Sequence, residues 1–268
     1  VTPPRPGPAA TALRWTGGLL GVVVLAAGGL RTADHLARSD TTTTHAYAAA
    51  DTVELVADGD VTVTTGGTDV EVVARARTGL VPATYTVQEA GGRLAVDHAC
   101  TGVLGDTCTA SLEVRVPEGA RVTVRSAAGD VSVAGVTGDV AVSAITGAVT
   151  VTAVAGDVTA ATGAGDVDLD RVGGSAEVTT ALGAVDVRDV QGDAAVDAGA
   201  GDLDLAGVRG DVRATTSSGR VVVRAEGGPV ALDIATTHGR TTVDAPTDPS
   251  ATRTVRIRSG TGDVAYVR

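Results

Sequence analysis

Three aspartates recur at an interval of eighteen residues, Asp168, Asp186 and Asp204, inside "GAGDVDLD", "GAVDVRDV" and "GAGDLDLA". Carboxylates repeated at such an interval on strands would stand in a column. Stacked like charges repel by roughly 1 kcal/mol per close pair in water. A column of this kind either holds a cation or is diluted by neighbouring bases. Asp170 lies beside it and Arg188 is the base in reach. The column is the one candidate cation site, and no metal ligand set is assigned beyond it. Calcium-binding nonapeptide rolls place a second glycine and an aspartate at fixed positions in every nine residues. Here the aspartates are one place out of phase and most units lack the extra glycine. The corner positions Asp130, Ala148, Asp166, Ala184, Asp202 and Arg220 alternate in charge, as solvated turn residues would.

Other chemistry is sparse. The four histidines, His35, His45, His98 and His238, show no ligand or nucleophile spacing, and lysine is absent. No catalytic residue is assigned, no cofactor is implied, and the reading is not an enzyme; a polysaccharide-active enzyme on a β-solenoid is the remote alternative. The two cysteines, Cys100 and Cys108 in "CTGVLGDTC", suit a disulfide better than a metal site, because only His98 lies near them. Closing that small loop would stabilise the fold by about 2.5 kcal/mol. The other reading is a pair of thiols in a reducing compartment. A bridge would put the body of the protein outside the cytoplasm.

The elements that would position these residues follow from the glycines. In a chain of 268 residues, Gly129, Gly138, Gly147 and every ninth residue through Gly228 are glycine. Aspartate often follows, and the positions two and four after glycine are apolar, as in Val131/Val133, Val149/Val151 and Leu203/Leu205. Each unit writes a turn and a half-buried strand. A second period of eighteen overlies the first: Val136, Val154, Val172, Val190 and Val208 alternate with mostly small residues seven places after glycine. Two kinds of corner therefore alternate. A flat antiparallel meander would leave its valine face in water, whereas a coil of two facing sheets covers it. The spacing predicts an all-β, single-stranded β-solenoid with rungs of about eighteen residues stacked about 4.8 Å apart. The composition agrees: 43% hydrophobic but 1% aromatic, so the interior must be narrow and filled by Val, Ala, Leu and Thr.

Before the repeat, "TALRWTGGLLGVVVLAAGGLRTADH" holds an uncharged run from Trp15 to Leu30 between Arg14 and Arg31. It is read as one N-terminal transmembrane helix or signal anchor, with a cleaved signal (and a secreted product) and a buried soluble helix as competing readings. The expected organisation is a cytoplasmic tail over 1–14, the transmembrane helix over 15–31, a polar linker over 32–51 and a β-solenoid over 52–268. Within the last, 52–126 forms an irregular capping part, 127–230 the nonapeptide repeats and 231–268 a C-terminal cap. A net charge of −11 argues against nucleic acid as a partner.

"ADGDVTVTTGGTDVEVVAR", "LEVRVPEGARVTVRSAAGDVSV" and "RSGTGDVAYV" resemble the putative adhesin β-repeat family, a bacterial envelope domain of unknown function (DUF4097-like), over Val53 to Arg268. The resemblance implies a right-handed solenoid, often behind one membrane helix. It brings no established catalytic residues. The expectation is a non-catalytic, single-pass membrane protein whose β-domain is an extracytoplasmic binding or scaffold module of the cell envelope. Its partner would be an envelope protein or a cell-wall glycan, with the membrane held by the N-terminal helix. The alternative is an accessory subunit of an envelope-stress sensing system that binds a membrane partner.

Overall fold

The computed structural model describes residues 38–79, 82–100 and 108–268. Among these every regular element is a strand. The first eight are β1 (Ser39–Tyr47), β2 (Thr52–Ala57), β3 (Val61–Thr65), β4 (Val70–Thr78), β5 (Ala83–Ala90), β6 (Arg93–Cys100), β7 (Thr109–Val116) and β8 (Arg121–Ala128). The repeat supplies β9 (Val131–Ala134), β10 (Val140–Thr146), β11 (Val149–Val154), β12 (Val158–Ala164), β13 (Val167–Val172), β14 (Ala176–Leu182), β15 (Val185–Val190), β16 (Ala194–Ala200), β17 (Leu203–Ala206), β18 (Val212–Ser218) and β19 (Val221–Arg224). The chain closes with β20 (Ala231–His238), β21 (Thr241–Asp244), β22 (Thr254–Thr261) and β23 (Val264–Val267).

Odd and even strands of the repeat separate into two sheets, and each pairs in parallel with the strand one rung on. Val131, Val149 and Val167 are successive partners in one sheet, and Val140 and Val158 in the other. The rung is therefore eighteen residues, one strand per sheet. Like residues stack on like: Val131, Val149, Val167, Val185, Leu203 and Val221 form one inner column, each at most 1% exposed. β-branched side chains suit this pleated stacking. The gap between facing sheets is about 10 Å, too thin for regular aromatic layers. Tyr266, near the end of the ladder, is the one aromatic residue wholly buried among the described residues.

The two corner types have different physical causes. Gly129, Gly147, Gly165, Gly183, Gly201 and Gly219 have φ between +125° and +152°. At the alternate corners the constraint is space: a Cβ on Gly210 would meet the Gly192 carbonyl oxygen at 2.5 Å. Just before the buried corner valines, residues 135, 153, 171, 189 and 207 are left-handed, with glycine only at the two ends and Ala153, Arg171 and Asp189 between.

Neither end of the ladder follows chain order. The first sheet runs β1-β4-β7-β3-β9 before the repeat and β19-β23-β21 after it; the second ends β8-β2-β6-β5 and β18-β22-β20. The segment that finishes the described chain, β22 and β23, is thus slotted between the repeat and an outermost rung made by β20 and β21. The capping part departs from a simple coil, because β1, β4 and β5 pair antiparallel with their neighbours. The expected polar linker over 32–51 needs correction: Ser39–Tyr47 is strand β1, paired with β4 from Ser39↔Thr78 to Tyr47↔Val70. Its threonines favour extended backbone, but nearly all of it is exposed, so no burial period marks it. The apolar run over 15–31 lies outside the described residues. Among the described residues no helix is long and apolar enough to cross a membrane.

A hydroxyl column lines one edge of the interior. Ser126, Thr216 and Ser259 donate to the carbonyls of Gly59, Gly201 and Gly219 at 3.1, 3.4 and 3.0 Å. The Thr162 and Thr180 hydroxyls occupy the same column, are buried and have no partner. An unpaired buried hydroxyl costs about 1–3 kcal/mol. Thr180→Val is therefore expected to stabilise the protein by about 1 kcal/mol, and Thr216→Val to destabilise it by a similar amount. Urea midpoints of the two variants check the opposite signs.

Candidate functional site

Parallel pairing at eighteen residues places Asp168 beside Asp186 and Asp186 beside Asp204 on the outer face of the first sheet. They line a shallow groove of about 320 Å³ together with the corner aspartates Asp166 and Asp202 and with Arg220. The column is interleaved with arginine. Arg188 pairs with Asp186 and reaches Asp168 at 3.9 Å. Arg224 pairs with Asp204, and Asp170 is taken by Arg171 at 2.9 Å. Asp186 sits at the centre, with one carboxylate oxygen buried and without a partner. Burial pushes its carboxyl above the usual range, and the charges of Asp204 and Asp168 add to this; together they outweigh Arg188. Among the described residues no group of three His, Cys, Asp or Glu side chains is arranged to hold a metal ion. The arrangement is a charge ladder of both signs on a flat face.

The corner aspartates have a different task. Asp130, Asp166 and Asp202 each accept the backbone N–H of residue 148, 184 or 220 on the next rung, at 2.8–2.9 Å. The opposite corner carries an unbroken chain: Asp139 to Asp157, Asp157 to Ser175, Ser175 to Asp193, Asp193 to Asp211 and Asp211 to Thr254. These side chains extend the ladder around the bend, where the backbone alone leaves a donor unpaired. At this corner adjacent aspartates are tolerated because each carboxylate is held by an N–H.

The histidines do not converge. His238 ends β20 on the surface, and His35 lies outside the described residues. His45 and His98 belong to an aromatic cluster at the N-terminal end that their spacing in the sequence does not reveal. His45 stacks on Tyr85 with centroids 4.9 Å apart, Tyr85 meets the edge of His98 at 5.8 Å, and the Tyr47 and Tyr85 hydroxyls share a hydrogen bond of 2.9 Å. β1 and β5 are the edge strands of different sheets, so this bond ties the two sheets together across the end. Burial and that bond push the Tyr85 phenol up. The sequence signal was the placement of two of three tyrosines, in "HAY" and "TYT", in a chain almost devoid of aromatics. Cys100 and Cys108 are joined by a disulfide, with Cα atoms 5.9 Å apart, and the Cys100 N–H donates to Asp58 at 2.7 Å.

His98 is 3% exposed, and its Nδ1 lies 3.2 Å from the Ser111 carbonyl. Burial pushes its pKa below the ordinary 6.5; the Ser111 carbonyl and the charges of Asp58 and Asp97 oppose this without cancelling it. The unfolded chain therefore binds the proton more readily than the native state. The stability that neutral His98 contributes is complete above about pH 6.5 and is lost as pH falls through the lower folded value. Urea midpoints should fall between pH 7.5 and 5.5, and His98→Gln should flatten that slope.

The family model described as Toastrack DUF4097 matches residues 55–266. No curated protein matches the chain. Among solved structures, a putative cell adhesion protein from Clostridium sporogenes matches 85% of this chain and 99% of its own, at 7% identity and a TM-score of 0.33. A putative adhesin from Bacteroides fragilis matches 85% and 97%, at 13% identity and a TM-score of 0.32. A putative lipid binding protein from Parabacteroides distasonis matches 86% and 97%, at 10% identity and a TM-score of 0.44.

Proposed function

We propose, from the premise that the chain belongs to the Toastrack DUF4097 family, that it is a non-catalytic binding module of the bacterial cell envelope, held at the membrane by residues 15–31 with its β-domain outside. The observation that carries this reading is the charge ladder on the first sheet. Asp168, Asp186 and Asp204 repeat at the rung interval on a parallel sheet, and Arg188 and Arg224 stand two rungs apart beside them. Such a face gives several weak, evenly spaced contacts to an extended partner, and their sum grows with the length engaged. A cell-wall glycan or an envelope protein with a matching strip of charge fits it. The disulfide supports an oxidising location, and the run from Trp15 to Leu30 supports a tether.

Binding of the full chain to purified cell wall and to envelope membranes tests the reading. The triple change of Asp168, Asp186 and Asp204 to Asn should lower binding about tenfold or more while leaving the fold intact. Undiminished binding by that variant would remove the charge ladder from the function. Retention by a membrane protein in place of the wall would select the accessory role in envelope-stress sensing. The address has its own assay: Ser39→Cys and Ser250→Cys, both exposed, should react with an impermeant thiol reagent on intact cells.

A further inference from the structure

We propose that the solenoid lies lengthwise on the lipid bilayer, with the long edge formed by the corners after β10, β12 and β14 against the headgroups. The inference rests on the tether read from residues 15–31. Ile145 and Leu182 are the most exposed large hydrophobic residues among those described, at 67% and 58%. Parallel pairing sets them on one edge, two rungs apart: Thr146 is in register with Ala164, and Ala164 with Leu182. In a chain that is 20% charged, the last two residues of β8, β10, β12, β14, β16 and β18 include no charged residue. The corner position beyond them follows the same plan. The rungs that carry Ile145 and Leu182 have Ala148 and Ala184 there, where the rungs around them have Asp130, Asp166 and Asp202. Charge is withdrawn where the apolar side chains project. Asp166, on the rung between, is exposed and accepts the Ala184 N–H, so the contact stays at headgroup depth.

The entry of the chain points to the occupant. Val131 is in register with Val61, Val61 with Leu112, Leu112 with Ala74 and Ala74 with Thr43. Two antiparallel steps leave β1 running in the direction of β9. Ser39, four residues before Thr43, therefore reaches past the corner glycines on this same edge. At most about 28 Å of chain separates Arg31 from Ser39, so a bilayer spanned by the preceding run lies close to it. The corners that carry Ile145 and Leu182 lead into β11 and β15, five and seven strands along the first sheet from β1, about 24 and 34 Å. Laying the solenoid down along this edge brings both side chains to the surface that holds the tether. The contact is then intramolecular, and a weak attraction suffices. A second protein copy fits poorly, because a ridge two residues wide and about 10 Å long falls far short of the roughly 1,200 Å² that a stable interface buries. Asp168 stands three residues past Gly165 of this edge, about 10 Å away, which sets the charge ladder just above the headgroups.

The full chain in phosphatidylcholine vesicles, with single cysteines in place of Thr146, Ala181 or Gln191 carrying a fluorophore, tests the inference. The native cysteines are bridged and do not take the label. The chain should float with the vesicles. Lipid bearing a nitroxide near the headgroup should quench the labels at 146 and 181 about twofold or more and spare the one at 191, on the opposite edge. Ile145→Glu with Leu182→Glu should abolish that quenching and leave the urea midpoint near the parent's, since both side chains are exposed. Floating chain with quenching no stronger at 146 and 181 than at 191, as a protein partner on the edge would give, would overturn the inference and leave the tether standing. Preferential quenching that survives the double change would also overturn it, because another surface would then hold the edge down. A chain that does not float would refute the tether and the inference with it.

Discussion

Gly201→Ala should cost about 4 kcal/mol or more and leave little folded protein, although it adds one methyl group at a solvent-accessible corner. Gly201 has φ +152°, a region that L side chains rarely adopt, and a Cβ there would lie 1.8 Å from the Gly183 carbonyl oxygen. The backbone has nowhere to move. Gly183 donates to Ala200 and Gly201 to Ser218, at 3.0 and 2.9 Å, so a shift in one corner opens bonds in the next. In a stacked architecture the loss is shared with the rungs on either side. Gly228→Ala is the matched control: it is also in the nine-residue register, yet nothing lies within 4 Å of its Cβ position. It should be neutral or slightly stabilising. Soluble yield and chemical denaturation of the two variants separate position in the register from position in space. Equal losses would refute the stacking argument.

Arg253→Ala should destabilise the protein by about 3 kcal/mol, the largest effect expected of any charged residue here. Arg253 stands where the ladder resumes after the excursion through β20 and β21, in line with Gly210 of the preceding rung. Its guanidinium donates to the carbonyls of Gly210 at 2.8 Å, Val208 at 2.6 Å and Glu226. These carbonyls belong to the corner where the chain has left its regular path, and no backbone N–H replaces the arginine. Lysine delivers one ammonium, not a planar fork, so Arg253→Lys should recover only part of the loss. Thermal melts of both variants, with Arg256→Ala as a surface control, give the ranking. Arg256 pairs with exposed Asp233 at 3.3 Å, and such pairs contribute about 0–1 kcal/mol.

Legibility in the sequence follows the range of the force involved. The nine-residue glycine register, the alternating valines and the eighteen-residue overtone are local. They are required because each rung must place the same residue type above its predecessor. The Asp168, Asp186 and Asp204 column was readable for the same reason: once the period is known, neighbours in the sheet are neighbours in arithmetic. β1 was not readable. A strand with both faces wet carries no burial pattern, and its partner β4 lies thirty-odd residues away. The aromatic cluster was hidden similarly, because His45, Tyr85 and His98 meet only after three strands from different sheets are folded onto one end.

Residue order by itself determined the all-β class, the rung length, the two kinds of corner and the thin aliphatic interior. Each of these is a consequence of periodicity and side-chain volume. The tertiary structure alone decided the spatial order of the terminal rungs, with Val255–Val267 slotted inside Ala231–Asp244, and the addition of Arg224 to Arg188 as a neutralising base on the acidic column. Non-sequential stacking leaves the local pattern unchanged: a rung reads the same whether it sits last or next to last. Only the competition for the open edge chooses its place, and that competition is settled by contacts between segments far apart in the chain.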